Sequence, residues 1–158
     1  MTQLATLTEL LSTTTAASPL QAAALDGTAG VFFLLARLAF GLTLAFMGLN
    51  HFMDAETMTG YAQHKGLPAP KASVLLSGGM LLFGGLGVAT GAFPVLAAGA
   101  LVVFFLVATP KMHDFWNAED VQGEMTHFLK NVALLAGSLA FLALGGAEWP
   151  LAASLGLF

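Results

Sequence analysis

The stretch Ala72-SVLLSGGMLLFGGLGVATGAFPVLAAGALVVFFLVAT-Pro110 carries no charged residue in 39 positions. As one helix it would run about 58 Å at 1.5 Å per residue. That is far beyond the bilayer's hydrocarbon core, which is spanned by roughly 20 apolar residues. The stretch divides at Thr90-Gly91-Ala92-Phe93-Pro94, where glycine closes one helix and proline opens the next. It therefore reads as a tight hairpin of two membrane spans, about 72–91 and 94–111. Upstream, Gly27–Met53 holds a single charge, Arg37, and reads as a span over about 29–52. Downstream, an uncharged run from Asn131 to Ala147, extended back to Glu124, gives a fourth span over about 124–146.

Composition agrees with this pattern. Of 158 residues, 57% are hydrophobic and 9% charged, and the mean hydropathy is +0.82. A soluble domain carries about 25% charged residues, so a soluble enzyme domain and a disordered chain are excluded. The net charge of −4 leaves no basic stripe for nucleic acid. With no cysteine, disulfides, thiolate metal sites and thiol redox chemistry by the chain itself are excluded too. The fold class is all-α, an integral membrane four-helix bundle over 29–146.

Residues 1–28 precede the bundle. They lack the basic n-region and continuous apolar core of a signal peptide. Leu4, Leu7 and Leu11 share a helical face before a polar loop at 13–18, which fits either an interfacial helix or an unstructured terminus. The tail, 147–158, is too short to span, and Trp149 suits the headgroup zone. Lysines decide the orientation. Lys65 and Lys71 lie in the loop after the first span, and Lys111 and Lys130 flank the loop before the fourth. The positive-inside rule then puts both loops in the cytoplasm and both termini outside.

Polar residues in spans need partners. Arg37, Gly41, Leu44, Gly48 and His51 share one face of the first span, with Arg37 and His51 about 21 Å apart along the axis. Asn50 sits beside that face. No carboxylate lies centrally in any span, so Arg37 either ties helices together through backbone carbonyls or Ser, Thr or Asn oxygens, snorkels outward to lipid or toward Glu148 or Asp26, or polarises the oxygen of a ligand. On the fourth span Glu124, His127, Asn131 and Ser138 share a face. Glu124 and His127 are spaced i, i+3, which can serve a metal, but a di-metal bundle needs a second such pair and none is written here. No tightly bound metal is expected. His113 and Trp116 stand i, i+3 if the third helix continues past Pro110. His64 falls in the loop after the first span and reads as solvated. Asn50, His51, His113, Trp116, Glu124, His127 and Asn131 gather by topology at one membrane face, as one polar site. Glycines 78, 79, 84, 85, 87 and 91 crowd the second span, and Gly87/Gly91 form a GxxxG step that packs inside the bundle or between copies.

Arg37-x3-Gly41, Gly48-x-Asn50-His51-Phe52, Gly66-Leu67-Pro68-x-Pro70, Ser77-Gly78, His113-x-Phe115-Trp116 and Phe128-x-Lys130-Asn131 occur in an order and spacing that resembles the DoxX family over about 29–146. These are small four-helix membrane proteins of bacteria and archaea. The resemblance implies a prokaryotic cell membrane and a link to quinone chemistry, since the family takes its name from the membrane part of a thiosulfate:quinone oxidoreductase. Other members accompany oxidative-stress complexes or quinone-resistance operons. The family-like polar positions are Arg37, Asn50, His51, His113, Trp116, Lys130 and Asn131. On this reading the chain is a quinone-interacting subunit of a membrane redox system. Its ligand residues are Arg37, Asn50, His51, His113, Trp116, Glu124, His127 and Asn131. No residue is assigned a catalytic role. The expected partners are lipid, a quinone-like ligand, a redox subunit and further copies of the chain. Two alternatives stay open: a non-enzymatic scaffold or assembly subunit, and a module that binds or transports small lipophilic molecules.

Overall fold

A computed structural model describes residues 27–153. The N-terminal segment with Leu4, Leu7 and Leu11, and the last five residues, lie outside the described residues. The chain is an all-α integral membrane four-helix bundle. Its elements are α1 (Gly27–Met53), α2 (Ala55–His64), α3 (Pro70–Thr90), α4 (Pro94–Met112), a 3-10 turn (Phe115–Asn117) and α5 (Val121–Ala143). Four helical segments are long and apolar enough to cross a membrane. Phe32, Phe46, Leu76, Phe83 and Leu96 stand exposed on the outer faces, as side chains do where the solvent is lipid and only backbone groups must be satisfied internally.

Helix ends follow local chemistry. Thr90 is the last residue of α3, where Gly91 takes a left-handed φ of 76°, a conformation that costs glycine little. Pro94 then starts α4, where the absent N–H is no loss. Asp120 caps α5 by accepting from the Gly123 N–H at 2.9 Å, so α5 begins at Val121 rather than 124. It ends at Ala143, before the turn through Gly145 and Gly146.

The α1–α3 pair is the tightest in the bundle. A Cβ on Gly41 would collide with the Gly85 carbonyl and the Ala89 backbone N, and one on Gly48 with the Leu82 backbone N and Gly78 carbonyl. The two helices run antiparallel with backbones touching. The contacts use Gly41/Gly48 and Gly78/Gly85, each seven residues apart, a spacing that keeps both on the shared face of a slightly supercoiled pair. Gly84 and Gly87 turn the other side of α3 to Leu101 and Ala97 of α4. The glycine crowding thus serves packing within the bundle, and α3 is its central helix. Around α3, Leu44, Leu81, Val88, Ala98, Leu101 and Phe105 form the buried core. Between α1 and α5 the gap is filled by rings: Phe40 lies 5.2 Å from Phe141, and Phe33 lies 5.8 Å from it, centroid to centroid.

Two expectations change. The loop after the first span contains the ten-residue helix α2. The chain bends at Asp54 (φ −123°, ψ 41°), and α2 buries Ala62 while His64 remains exposed on its last turn. Trp149 is packed within the protein rather than exposed at its surface. It is 7% exposed, donates from Nε1 to the Leu144 carbonyl at 2.8 Å, and meets Phe33 edge-on at 5.2 Å. The tail folds back over the end of the bundle, where the Ala153 N–H donates to the Thr90 carbonyl, and this drags the indole inside.

Candidate functional site

Arg37 stands apart from the other candidate residues, near the end of the bundle that holds the α3–α4 turn. Its side chain is fully buried. Nε donates to the Val88 carbonyl at 3.2 Å, Nη2 to Ala89 at 3.1 Å and Nη1 to Pro150 at 2.8 Å. Val88 and Ala89 lie in the last turn of α3, where carbonyls have no intrahelical partner and the helix dipole is negative. The guanidinium also sits 5.1 Å from the Trp149 ring centroid. Arg37 therefore caps α3 and fastens the tail to it. The absence of a carboxylate partner is explained by these three carbonyls, and no face of the guanidinium is exposed for a ligand.

The opposite end of the bundle holds a cavity of about 730 Å³. It is walled by α3 and α4, with Ser73, Ser77 and Met80 on one side and Phe104, Ala108 and Met112 on the other. Met58, Tyr61 and Ala62 of α2 cover it. Leu76, Val103 and Val107 also line it, and these side chains are among the lipid-facing ones, so the mouth opens between α3 and α4 toward the membrane. Polar groups gather on the remaining wall: His51 from α1, His113 at the end of α4, and Lys130 with Asn131 from α5. Asn131 is 7% exposed.

Three of the sequence candidates, His51, His113 and Asn131, thus share one cavity. Trp116 and Glu124 instead line an adjacent wet cleft of about 670 Å³ with Lys65, Asp114, Glu119 and Asp120. Between cleft and cavity stands His113, whose Nδ1 lies 2.8 Å from Glu124 Oε2. His127 is exposed and stacks on the His113 ring at 5.2 Å. Asn50 lines neither space. Trp116 is not on the α4 helix: α4 ends at Met112 and His113 caps it. Trp116 sits in the 3-10 turn, edge-on to Phe115 and Phe128. The single polar site read from topology is therefore two adjoining spaces joined by the His113–Glu124 pair. Among the described residues, no group of three His, Asp or Glu side chains is placed to hold a metal.

Lys65 anchors the cleft. Its Nζ lies 3.0 Å from Asp114 Oδ1 and 3.7 Å from Glu124 Oε1. Partial burial pulls the ammonium pKa down, but the hydrogen bond to Asp114 and the negative groups around it more than offset this, and it stands above the ordinary lysine value.

A family model described as DoxX matches residues 32–114, more than half of the chain. The chain belongs to the DoxX family. Comparison with curated proteins and with solved structures gives no match. The DoxX match runs from within α1 to just past α4, so it takes in Arg37, His51, His113 and the cavity walls that α2, α3 and α4 supply. Glu124, His127 and Asn131 lie beyond it. Sequence reasoning missed the α2 side of this DoxX-family cavity, where Met58, Tyr61 and Ala62 recur at i, i+3 and i+4. That is a helical signal inside a segment too polar to read as a span.

Proposed function

We propose that this DoxX-family chain is a quinone-interacting component of a membrane redox system, and that the cavity at the lysine-bearing end receives the quinone ring. The observation that carries this reading is the cavity's form. It is apolar on most sides, has the volume typical of small-molecule sites, opens beside lipid-facing Leu76, Val103 and Val107, and ends on His51, His113 and Asn131. A ligand dissolved in the bilayer enters through such a mouth without crossing water. Asn131 supplies amide N–H donors for a carbonyl oxygen, and the histidines supply ring nitrogens that can give or take a proton. The chain has no cysteine for thiol exchange, and in this reading the electrons come from a separate redox partner. We place the protein in a prokaryotic cell membrane with the Lys65, Lys71, Lys111 and Lys130 end in the cytoplasm.

The test is direct. Solvent extracts of the purified protein should contain a quinone chromophore, and the protein in nanodiscs should bind menadione. Asn131→Leu removes the donor at nearly the same volume and should weaken menadione binding about fivefold or more, the worth of one hydrogen bond. Extracts free of quinone, together with no menadione binding above that of empty nanodiscs, would discard the reading.

A further inference from the structure

We infer that the cavity selects ligands bearing an aromatic hydroxyl, so that of the two redox forms of a quinone it holds the reduced, hydroxyl-bearing one more tightly. This rests on the proposed function and deepens it. The argument begins with the two histidines. His51 Nδ1 lies 3.0 Å from the Met47 carbonyl oxygen, and His113 Nδ1 lies 2.8 Å from a Glu124 carboxylate oxygen. A carbonyl oxygen and an ionised carboxylate only accept hydrogen bonds, so in both rings Nδ1 must carry the hydrogen. In a neutral imidazole the other nitrogen, Nε2, is then bare. Among the described residues neither Nε2 has a hydrogen-bond partner, and both rings line the cavity. The site therefore presents two acceptors.

A quinone carbonyl is itself only an acceptor and gains nothing from a bare Nε2. A phenolic or quinol hydroxyl donates to it. At His113 the Glu124 carboxylate holds the ring in this tautomer and orientation. The electrostatics of the lining point the same way. Lys111 and Lys130 reach the cavity wall, while among the described residues no Asp or Glu lines it, so negative charge that develops on a hydroxyl oxygen is stabilised there. Asn131, which also lines the cavity, carries an amide that can donate to that same oxygen or to the oxygen at the far side of the ring.

The test compares 1-naphthol with 1-methoxynaphthalene, which have the same ring but differ in the O–H. Binding is measured to the full-length protein in nanodiscs in mildly alkaline buffer, with empty nanodiscs subtracted. The wild type should bind the naphthol about fivefold more tightly than the ether, as one hydrogen bond allows. His113→Leu should bring that ratio close to one. Glu124→Leu leaves the ring in place but frees its Nδ1, and should lower the ratio while ether binding stays constant. If the wild type binds both compounds equally, the hydroxyl preference is refuted while the cavity remains a lipophilic site. If it binds neither, the cavity reading itself fails. Should a variant misfold, the wild-type ratio alone still decides.

Discussion

At the scale of single residues, Arg37 shows how a membrane protein holds a full charge without an opposite one. Its three hydrogen bonds reach two separate segments, the last turn of α3 and the tail at Pro150. Each such bond from a charged donor contributes about 1.5–3 kcal/mol. Arg37→Leu should therefore destabilise the protein by about 3 kcal/mol or more, read as a lower thermal midpoint in detergent. Arg37→Lys should fall between, since one ammonium cannot match a planar fork that serves three carbonyls. A leucine variant that melts with the wild type would refute the clamp. The sequence announced that Arg37 needed a partner, because no acid lies centrally in the spans. It could not say which partner, because backbone carbonyls carry no signature in a sequence. The same blindness applied to Trp149, whose burial depends on a fold-back set by contacts far along the chain.

At the scale of elements, the glycines of α1 and α3 divide into two kinds. Gly41, Gly48, Gly78 and Gly85 stand where a Cβ would overlap the opposing helix, whereas Gly79 has open space around it. Gly41→Ala must push α1 and α3 apart and should cost about 1–3 kcal/mol, as overpacking does. Gly79→Ala should be neutral or stabilising by up to about 1 kcal/mol through helix propensity. Unfolding midpoints of the two variants side by side check the contrast, and equal effects would refute the close α1–α3 contact. The four spans were legible because hydropathy and the Gly91/Pro94 punctuation are local signals. The element that escaped was α2. Its polar residues made it look like a loop, and only its cavity-facing side, Met58, Tyr61 and Ala62, betrays a helix. That gap hid the cover of the cavity, which α2 supplies.

At the scale of the whole molecule, the bundle is polarised. Lys65, Lys71, Lys111 and Lys130 all belong to the end that carries the cavity and cleft, while Arg37, Trp149 and the α3–α4 turn belong to the other. With that charge asymmetry, a membrane-impermeant maleimide applied to intact cells should label Glu148→Cys and leave Lys71→Cys unlabelled. The wild-type chain has no cysteine, so each label has a single origin, and the reverse pattern would invert the topology. Convergence of the polar helix ends at one face was readable from the sequence. The split of that face into a lipid-side cavity and a wet cleft was not, because it depends on where His113 and Trp116 leave the helix after Pro110. Arg37 also sets an order in time. The ribosome emits it about fifty residues before Val88 and Ala89 and 113 residues before Pro150. The first span thus enters the bilayer as a cation in want of acceptors, and a nascent chain that has not yet delivered Pro150 leaves its opening helix unlatched. Synthesis of the tail is what finally locks the beginning of the bundle in place.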